Sequence, residues 1–167
     1  MRIRVLLGSM IFAGLVAVTA PIAGASAAPP QATDGVGYLS VREANASMAW
    51  GYVRNQATGR CLEETPGRNI GTAPCRYDND QTWEWRAGTG SIYNWILVNR
   101  STGYCLDSNS NLEVYAHQCN GGNGQNWNRY DDGAIKSAPT ANGMLDSNSQ
   151  GEVYIHADNG GNYQKWY

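Results

Sequence analysis

Two stretches of this chain carry the same chemically capable side chains at the same offsets. Asp107, Tyr115, His117 and Asn120 recur as Asp146, Tyr154, His156 and Asn159, each 39 positions further on. A carboxylate accepts hydrogen bonds from two neighbouring hydroxyls, and a primary amide donates and accepts at once. An aromatic face covers an apolar C–H patch. Together these groups suit a pyranose ring. Bonds to a charged acceptor contribute about 1.5–3 kcal/mol each, and a ring contact about 0.5–1.5 kcal/mol. Against desolvation and lost freedom, one shallow site of this kind is expected near millimolar affinity, about −4 kcal/mol. Useful affinity would then come from several sites engaging one branched glycan.

Strands must position these groups. In Glu113-Val114-Tyr115-Ala116-His117 the side chains alternate faces, so Val114 and Ala116 point to a core while Tyr115 and His117 share the outer face. Val153 and Ile155 repeat the inner pair, Tyr154 and His156 the outer one. Asp107 and Asp146 each begin an Asp-Ser-Asn-Ser run, which favours a turn whatever the function. Their matching partners in both stretches favour a binding role over a turn role. For the two histidines, sugar contact and surface decoration both remain open.

The duplication belongs to a threefold repeat. Gln81-Thr82-Trp83, Gln125-Asn126-Trp127 and Gln164-Lys165-Trp166 each close a segment that overlays the others without gaps. A shift of 44 places Cys61 on Cys105, Gly59 on Gly103, Cys75 on Cys119 and Trp83 on Trp127; a shift of 39 places Leu106-Asp107-Ser108-Asn109-Ser110 on Leu145-Asp146-Ser147-Asn148-Ser149. A period near 40 means three similar units closing around one core. Four cysteines in an exported chain allow three pairings, and the register selects Cys61–Cys75 with Cys105–Cys119. Each bridge closes a loop of about 15 residues, worth roughly 3 kcal/mol in the chain-entropy model. Met144 and Asp158 take those positions in the third repeat, which must rely on packing alone.

These motifs resemble the ricin-type β-trefoil lectins, whose repeats carry a Cys-Leu-Asp start, a second Cys and a closing Gln-x-Trp. The resemblance covers about Ala49 to Tyr167. Within the family it is closest to the mannose-binding lectins of the actinohivin type: Leu145-Asp146-Ser147-Asn148, Val153-Tyr154 and Asn159-Gly160-Gly161-Asn162-Tyr163-Gln164-Lys165-Trp166 follow their pattern. The resemblance implies one all-β trefoil with pseudo-threefold symmetry, four short strands per repeat, and repeats at about 49–91, 92–130 and 131–167. It also implies sugar contacts from Asp107, Tyr115 and Asn120 and from Asp146, Tyr154 and Asn159. Gln125 and Gln164 would steady the Asp, and Trp83, Trp127 and Trp166 would be core.

Departures from the pattern divide the repeats. The first has Glu63 for the Asp, then Gly71, Ala73 and Arg76 for Tyr, His and Asn. Glu63 and Gln81 are therefore read as a weak or vestigial site, with Glu63 a solvated carboxylate. Gly124 stands where the third repeat has Tyr163, so the second site should lack one contact. His117 and His156 replace the Leu of the mannose binders, at a position where galactose-binding members place an aromatic platform. Mannose and galactose thus both stay open.

Composition narrows the remaining classes. Six Trp, ten Tyr and 20 Gly stand beside a single Phe, a turn-rich all-β composition. Arg2, Arg4, the apolar run to Ala20 and Ala25-Ser26-Ala27 read as a signal peptide over residues 1–27; a membrane anchor is the alternative. Residues 28–48, with Pro29-Pro30, read as a flexible leader in which Tyr38–Val41 could dock as a strand. The expected location is secreted, with no membrane span in the mature form. Without Arg2 and Arg4 the net charge falls from -2 to -4, and no basic cluster stands out, which argues against nucleic acid. With two histidines in equivalent outward positions and the cysteines committed to disulfides, a nucleophilic triad has little to work with. Neither a cofactor nor a metal is expected. A polysaccharide-binding module is one alternative to a free lectin, and a protease-inhibitor-like, protein-binding trefoil is the rival class. Asn45-Ala46-Ser47 and Asn99-Arg100-Ser101 fit the glycosylation acceptor pattern.

Overall fold

The computed structural model describes residues 50–167. The expected signal peptide and the leader over 28–48 lie outside the described residues, as does the acceptor at Asn45. The first repeat supplies β1 (Gly51–Tyr52), β2 (Cys61–Thr65), β3 (Asn69–Ala73) and β4 (Thr82–Ala87). The second supplies β5 (Trp95–Asn99), β6 (Cys105–Ser108), β7 (Val114–His117) and β8 (Trp127–Arg129). The third supplies β9 (Ile135–Ser137), β10 (Gly143–Ser147) and β11 (Val153–Ala157). Its fourth strand is reduced to two bridges, Ala134 with Lys165 and Asn55 with Trp166, so the expected count of four falls short in this repeat. No helix among the described residues is long and apolar enough to cross a membrane.

Those two bridges close a ring. β1 pairs with β4, β4 with β5, β5 with β8 and β8 with β9, and the 165–166 segment joins β9's neighbour Ala134 back to Asn55 beside β1. A closed ring removes the sheet edge that would otherwise invite aggregation. The hairpins β2–β3, β6–β7 and β10–β11 form a triangular cap. Asn69 pairs with Tyr115, Glu113 with Tyr154 and Gly71 with Glu152. Each hairpin tip also hooks the next hairpin through one carbonyl: Arg68 O accepts from Ala116 N at 2.9 Å, Leu112 O from Ile155 N at 2.9 Å and Gly151 O from Thr72 N at 2.8 Å. The three tip residues share left-handed backbone, with φ of 69°, 66° and 98°. Only Gly151 adopts this without a side-chain penalty; Arg68 and Leu112 each carry about 1–2 kcal/mol of strain to aim that carbonyl. This ring of six barrel strands capped by three hairpins is the β-trefoil.

The core follows the same symmetry. Trp83, Trp127 and Trp166 are buried with Leu62, Leu106 and Leu145. Each indole N–H donates to the paired leucine carbonyl, at 3.0, 3.1 and 2.9 Å. Ile70, Val114 and Val153 form a third equivalent set. The last inner position holds Ala116 and Ile155 in two repeats but Thr72 in the first, whose buried hydroxyl has no partner. Disulfides join Cys61 to Cys75 and Cys105 to Cys119, as the repeat register requires. In the third repeat the Asp158 N–H donates to the Asn142 carbonyl at 3.0 Å instead.

Candidate functional site

In the third repeat, antiparallel pairing of β10 with β11 puts Asp146 opposite Tyr154. Asp146 lies within β10 and is 3% exposed. The turn expected at this residue begins two positions later, where Asn148 Oδ1 accepts from the N–H groups of Gln150, Gly151 and Glu152. Gln164 sits in a single 3₁₀ turn, Asn162–Gln164. Its Nε2 donates to Asp146 Oδ2 at 2.8 Å and to the Ala157 carbonyl at 2.9 Å, while its Oε1 accepts from Asn159 N at 2.9 Å. One buried amide thereby fixes the carboxylate, the end of β11 and the loop that carries Asn159. Asp146 Oδ1 accepts from Ser147 N at 2.7 Å. A carboxylate offers about four lone-pair positions, so acceptor capacity remains.

The other side chains complete a cleft of about 340 Å³ lined by Asp146, Ser147, Asn148, Ser149, Tyr154, His156, Asn159, Gly161 and Tyr163. Asn159 Oδ1 accepts from Gly161 N at 2.8 Å, so its amide is committed as an acceptor to the backbone and presents its NH2 as a donor. Tyr154 and His156 stand edge to face, ring centroids 6.4 Å apart. His156 Nδ1 lies 2.9 Å from the Ala157 carbonyl and 3.8 Å from Asp146 Oδ2. A carbonyl only accepts, which assigns the proton of the neutral ring to Nδ1 and leaves Nε2 as an acceptor. Burial, reinforced by the Asp146 and Glu152 carboxylates, pushes the Tyr154 phenol above its ordinary value, so it stays a neutral donor.

The second repeat rebuilds most of this. Gln125 Nε2 donates to Asp107 Oδ2 at 3.0 Å and to the Gln118 carbonyl at 2.9 Å; its Oε1 accepts from Asn120 N at 2.9 Å. Asn120 Oδ1 accepts from Gly122 N at 2.7 Å. Tyr115 and His117 again stand edge to face at 6.4 Å, and burial together with Asp107 and Glu113 raises the Tyr115 phenol. Asp107 is a buried residue of β6, and the turn starts at Asn109. Gly124 is more than a missing contact. A Cβ there would stand 2.3 Å from Asp107 Oδ1 and 2.4 Å from the Ser108 carbonyl, so the backbone itself closes over the space that Tyr163 flanks in the third repeat.

The first repeat keeps the scaffold and fills the site. Gln81 Nε2 donates to Glu63 Oε2 at 2.9 Å and to the Pro74 carbonyl at 3.1 Å, and its Oε1 accepts from Arg76 N at 2.7 Å. Arg76 then reaches Glu63 Oε2 at 2.9 Å, Asp78 Oδ2 at 3.1 Å and Asp80 Oδ2 at 3.1 Å. Glu63 is thus no solvated carboxylate; its side chain is 14% exposed and doubly bonded. Asp78 and Glu63 hold the guanidinium more firmly protonated than usual. A hydrogen bond with Asp80 draws the Asp78 carboxyl down, while burial and Asp78 push the Asp80 carboxyl up. The sequence marked Arg76 as an absent Asn; the charged run Arg76-Tyr77-Asp78-Asn79-Asp80 was the available signal for a plug. Ser147, Asn148 and Ser149 also line the cleft, although in the sequence they read only as turn residues. The acceptor at Asn99 is buried, its amide donating to the Asp80 carbonyl at 2.8 Å. Among the described residues no group of three His, Cys, Asp or Glu is placed to hold a metal ion.

Each repeat of the threefold barrel thus carries an acid–amide pair, and in the second and third repeats a Tyr and a His stand beside it. The family model for the ricin-type β-trefoil lectin domain matches residues 49–166, and the chain belongs to that family. No curated protein matches its sequence. Among solved structures it is similar to ThreeFoil, a designed threefold-symmetric protein, with a TM-score of 0.60 at 20% identity over 70% of this chain and 95% of that one. It is also similar to a GlcNAcα1-4Gal-releasing endo-β-galactosidase from Clostridium perfringens, with a TM-score of 0.61 at 16% identity over 71% of this chain and 31% of that one. The hemolytic lectin CEL-III gives a TM-score of 0.58 at 22% identity, over 70% of this chain and 29% of that one. The chain thus spans under a third of the last two proteins, and at these identities the likeness is one of fold.

Proposed function

We propose that this protein is a secreted, non-enzymatic lectin that binds mannose-type glycans through its second and third repeats. The observation that carries this reading is the third-repeat cleft. There the Asp146 carboxylate, held by Gln164, and Asn159, whose amide oxygen is taken by Gly161 N, line one cleft with Tyr154, Tyr163 and His156. A sugar hydroxyl placed between them donates to Asp146 and accepts from Asn159, while its neighbour uses a remaining carboxylate lone pair. The rings Tyr154 and Tyr163 take the C–H face. Two such sites on one rigid trefoil make binding to a branched glycan bivalent, and avidity then exceeds the weak affinity of either site. No cation is needed for these contacts. Asp107 and Asp146 sit on different hairpins, which supports two separate binding sites over the carboxylate pair that glycoside cleavage requires.

One observation favours a second reading. His117 and His156 stand beside Tyr115 and Tyr154, where galactose-binding members of the family place an aromatic platform. A glycan array separates these readings, using the secreted chain and its Asp107→Asn, Asp146→Asn variant with and without EDTA. Binding to α-mannose glycans that survives EDTA and is lost in the variant is expected. Galactose glycans in their place move the specificity; loss on EDTA removes the cation-free mechanism; an empty array from folded protein overturns the lectin reading.

A further inference from the structure

Tyr77 occupies a backbone position that the other repeats give to glycine. The repeat register places Tyr77 on Gly121 and Gly160, and all three are left-handed, with φ of 65°, 73° and 65°. Glycine adopts this region freely, whereas tyrosine crowds its Cβ against the following carbonyl. Burial of the ring does not offset that strain, because Tyr77 is 66% exposed. Its ring stands 4.8 Å from that of Tyr52 with the planes at 69°. Tyr52 is 40% exposed, and its hydroxyl donates to the Tyr77 carbonyl at 3.4 Å. The two rings therefore brace one another on an open rim. Exposed hydrogen-bonding groups flank them: the Arg76 and Asp78 side chains are 45% and 50% exposed. Three of the five guanidinium donors are engaged by Glu63, Asp78 and Asp80.

We propose that this rim of the first repeat is a third carbohydrate contact, in which Tyr77 and Tyr52 take the C–H face of a pyranose and Asp78 and Arg76 take its hydroxyls. The proposal rests on the carbohydrate-binding reading above and adds a site of different construction. The other repeats bind in an acid-floored cleft; here Arg76 fills the cleft, and the contact moves outward to an open aromatic surface. Such a surface suits a ring within a longer chain, since nothing encloses its two ends. The strained tyrosine is the distinguishing observation, because strain persists where function requires the side chain.

Substituting Tyr77→Gly restores the residue of the sister repeats and so separates binding from stability. The experiment measures Tm and the affinity of the secreted chain for soluble α-mannan and soluble galactan, comparing wild type, Tyr77→Gly and Tyr52→Ser. The expected result is a Tm for Tyr77→Gly equal to or above wild type, with polysaccharide affinity weakened roughly two- to tenfold. Tyr52→Ser should weaken it similarly. Wild-type binding that both variants retain in full overturns the rim site and leaves the lectin reading standing. A wild type that binds neither polysaccharide overturns both. Should Tyr77→Gly lower Tm and affinity together, Tyr52→Ser decides, since it leaves the strained backbone intact: retained affinity overturns the site, and lost affinity upholds it.

Discussion

Gln164 shows how one neutral side chain can set the chemistry of a charged one. Both ends of its amide are committed, so only one orientation satisfies the Asn159 N–H, the Ala157 carbonyl and Asp146 together. Leaving the buried Asp146 carboxylate or the buried Gln164 amide unpaired costs about 1–3 kcal/mol, which makes the carboxylate's position part of the fold. The tyrosines beside the carboxylates feel them in turn. Tyr115 and Tyr154 are pushed above the ordinary phenol value, chiefly by burial and then by Asp107 and Asp146. A raised folded value means that folding holds the proton more tightly than the unfolded chain does. That contribution is complete below the ordinary value near 10 and is lost as pH rises through the folded value. Titration of phenolate absorbance should therefore show two tyrosines ionising later than tyrosine in a short peptide. The late step should vanish in a Tyr115→Phe, Tyr154→Phe variant. Its persistence there would assign the shift to other residues.

At the scale of elements, the hairpin cap is where symmetry and its exceptions are most visible. Each tip carbonyl reaches the next hairpin, and the strand it reaches should present an apolar inner residue. Ala116 and Ile155 do; Thr72 leaves a buried hydroxyl unpaired. Thr72→Val keeps the shape and removes the orphan, so it should stabilise by about 1 kcal/mol, a rise in Tm of about 3–6 °C. An unchanged or lowered Tm in thermal unfolding would show that the hydroxyl is satisfied in solution. Much of this level was legible beforehand. The alternation in Val114-Tyr115-Ala116-His117 told core from surface, and the register of the cysteines and Gln-x-Trp triplets told which positions are equivalent. Other features were not legible, because they depend on where backbone and long side chains meet in space. Asp-Ser-Asn-Ser contains its turn, but hairpin register decides that Asp146 stays in the strand and Asn148 makes the turn. Arg76 reads as a lost amide until three carboxylates are seen around it. A glycine at 124 reads as a deletion until the backbone is found against Asp107.

For the molecule as a whole, the three repeats have diverged on one scaffold. The first has a disulfide and a cleft filled by Arg76. The second has a disulfide and a cleft narrowed at Gly124. The third has no disulfide and the open cleft flanked by Tyr163. A closed barrel lets this happen, because each cluster hangs on its own hairpin and its own Gln while the shared Trp–Leu core stays constant. The central claim is that sugar is held at the Asp–Gln–Asn clusters of the second and third repeats. The most direct test is an amide NMR titration of the folded protein with methyl α-mannoside and, separately, methyl β-galactoside. The expected result is saturable shifts at Ser147, Asn148, Asn159 and Gly161, weaker ones at Ser108, Asn109, Asn120 and Gly122, and none at Glu63 and Gln81. Saturable binding of either sugar that leaves Ser147, Asn159 and Gly161 unmoved would contradict it.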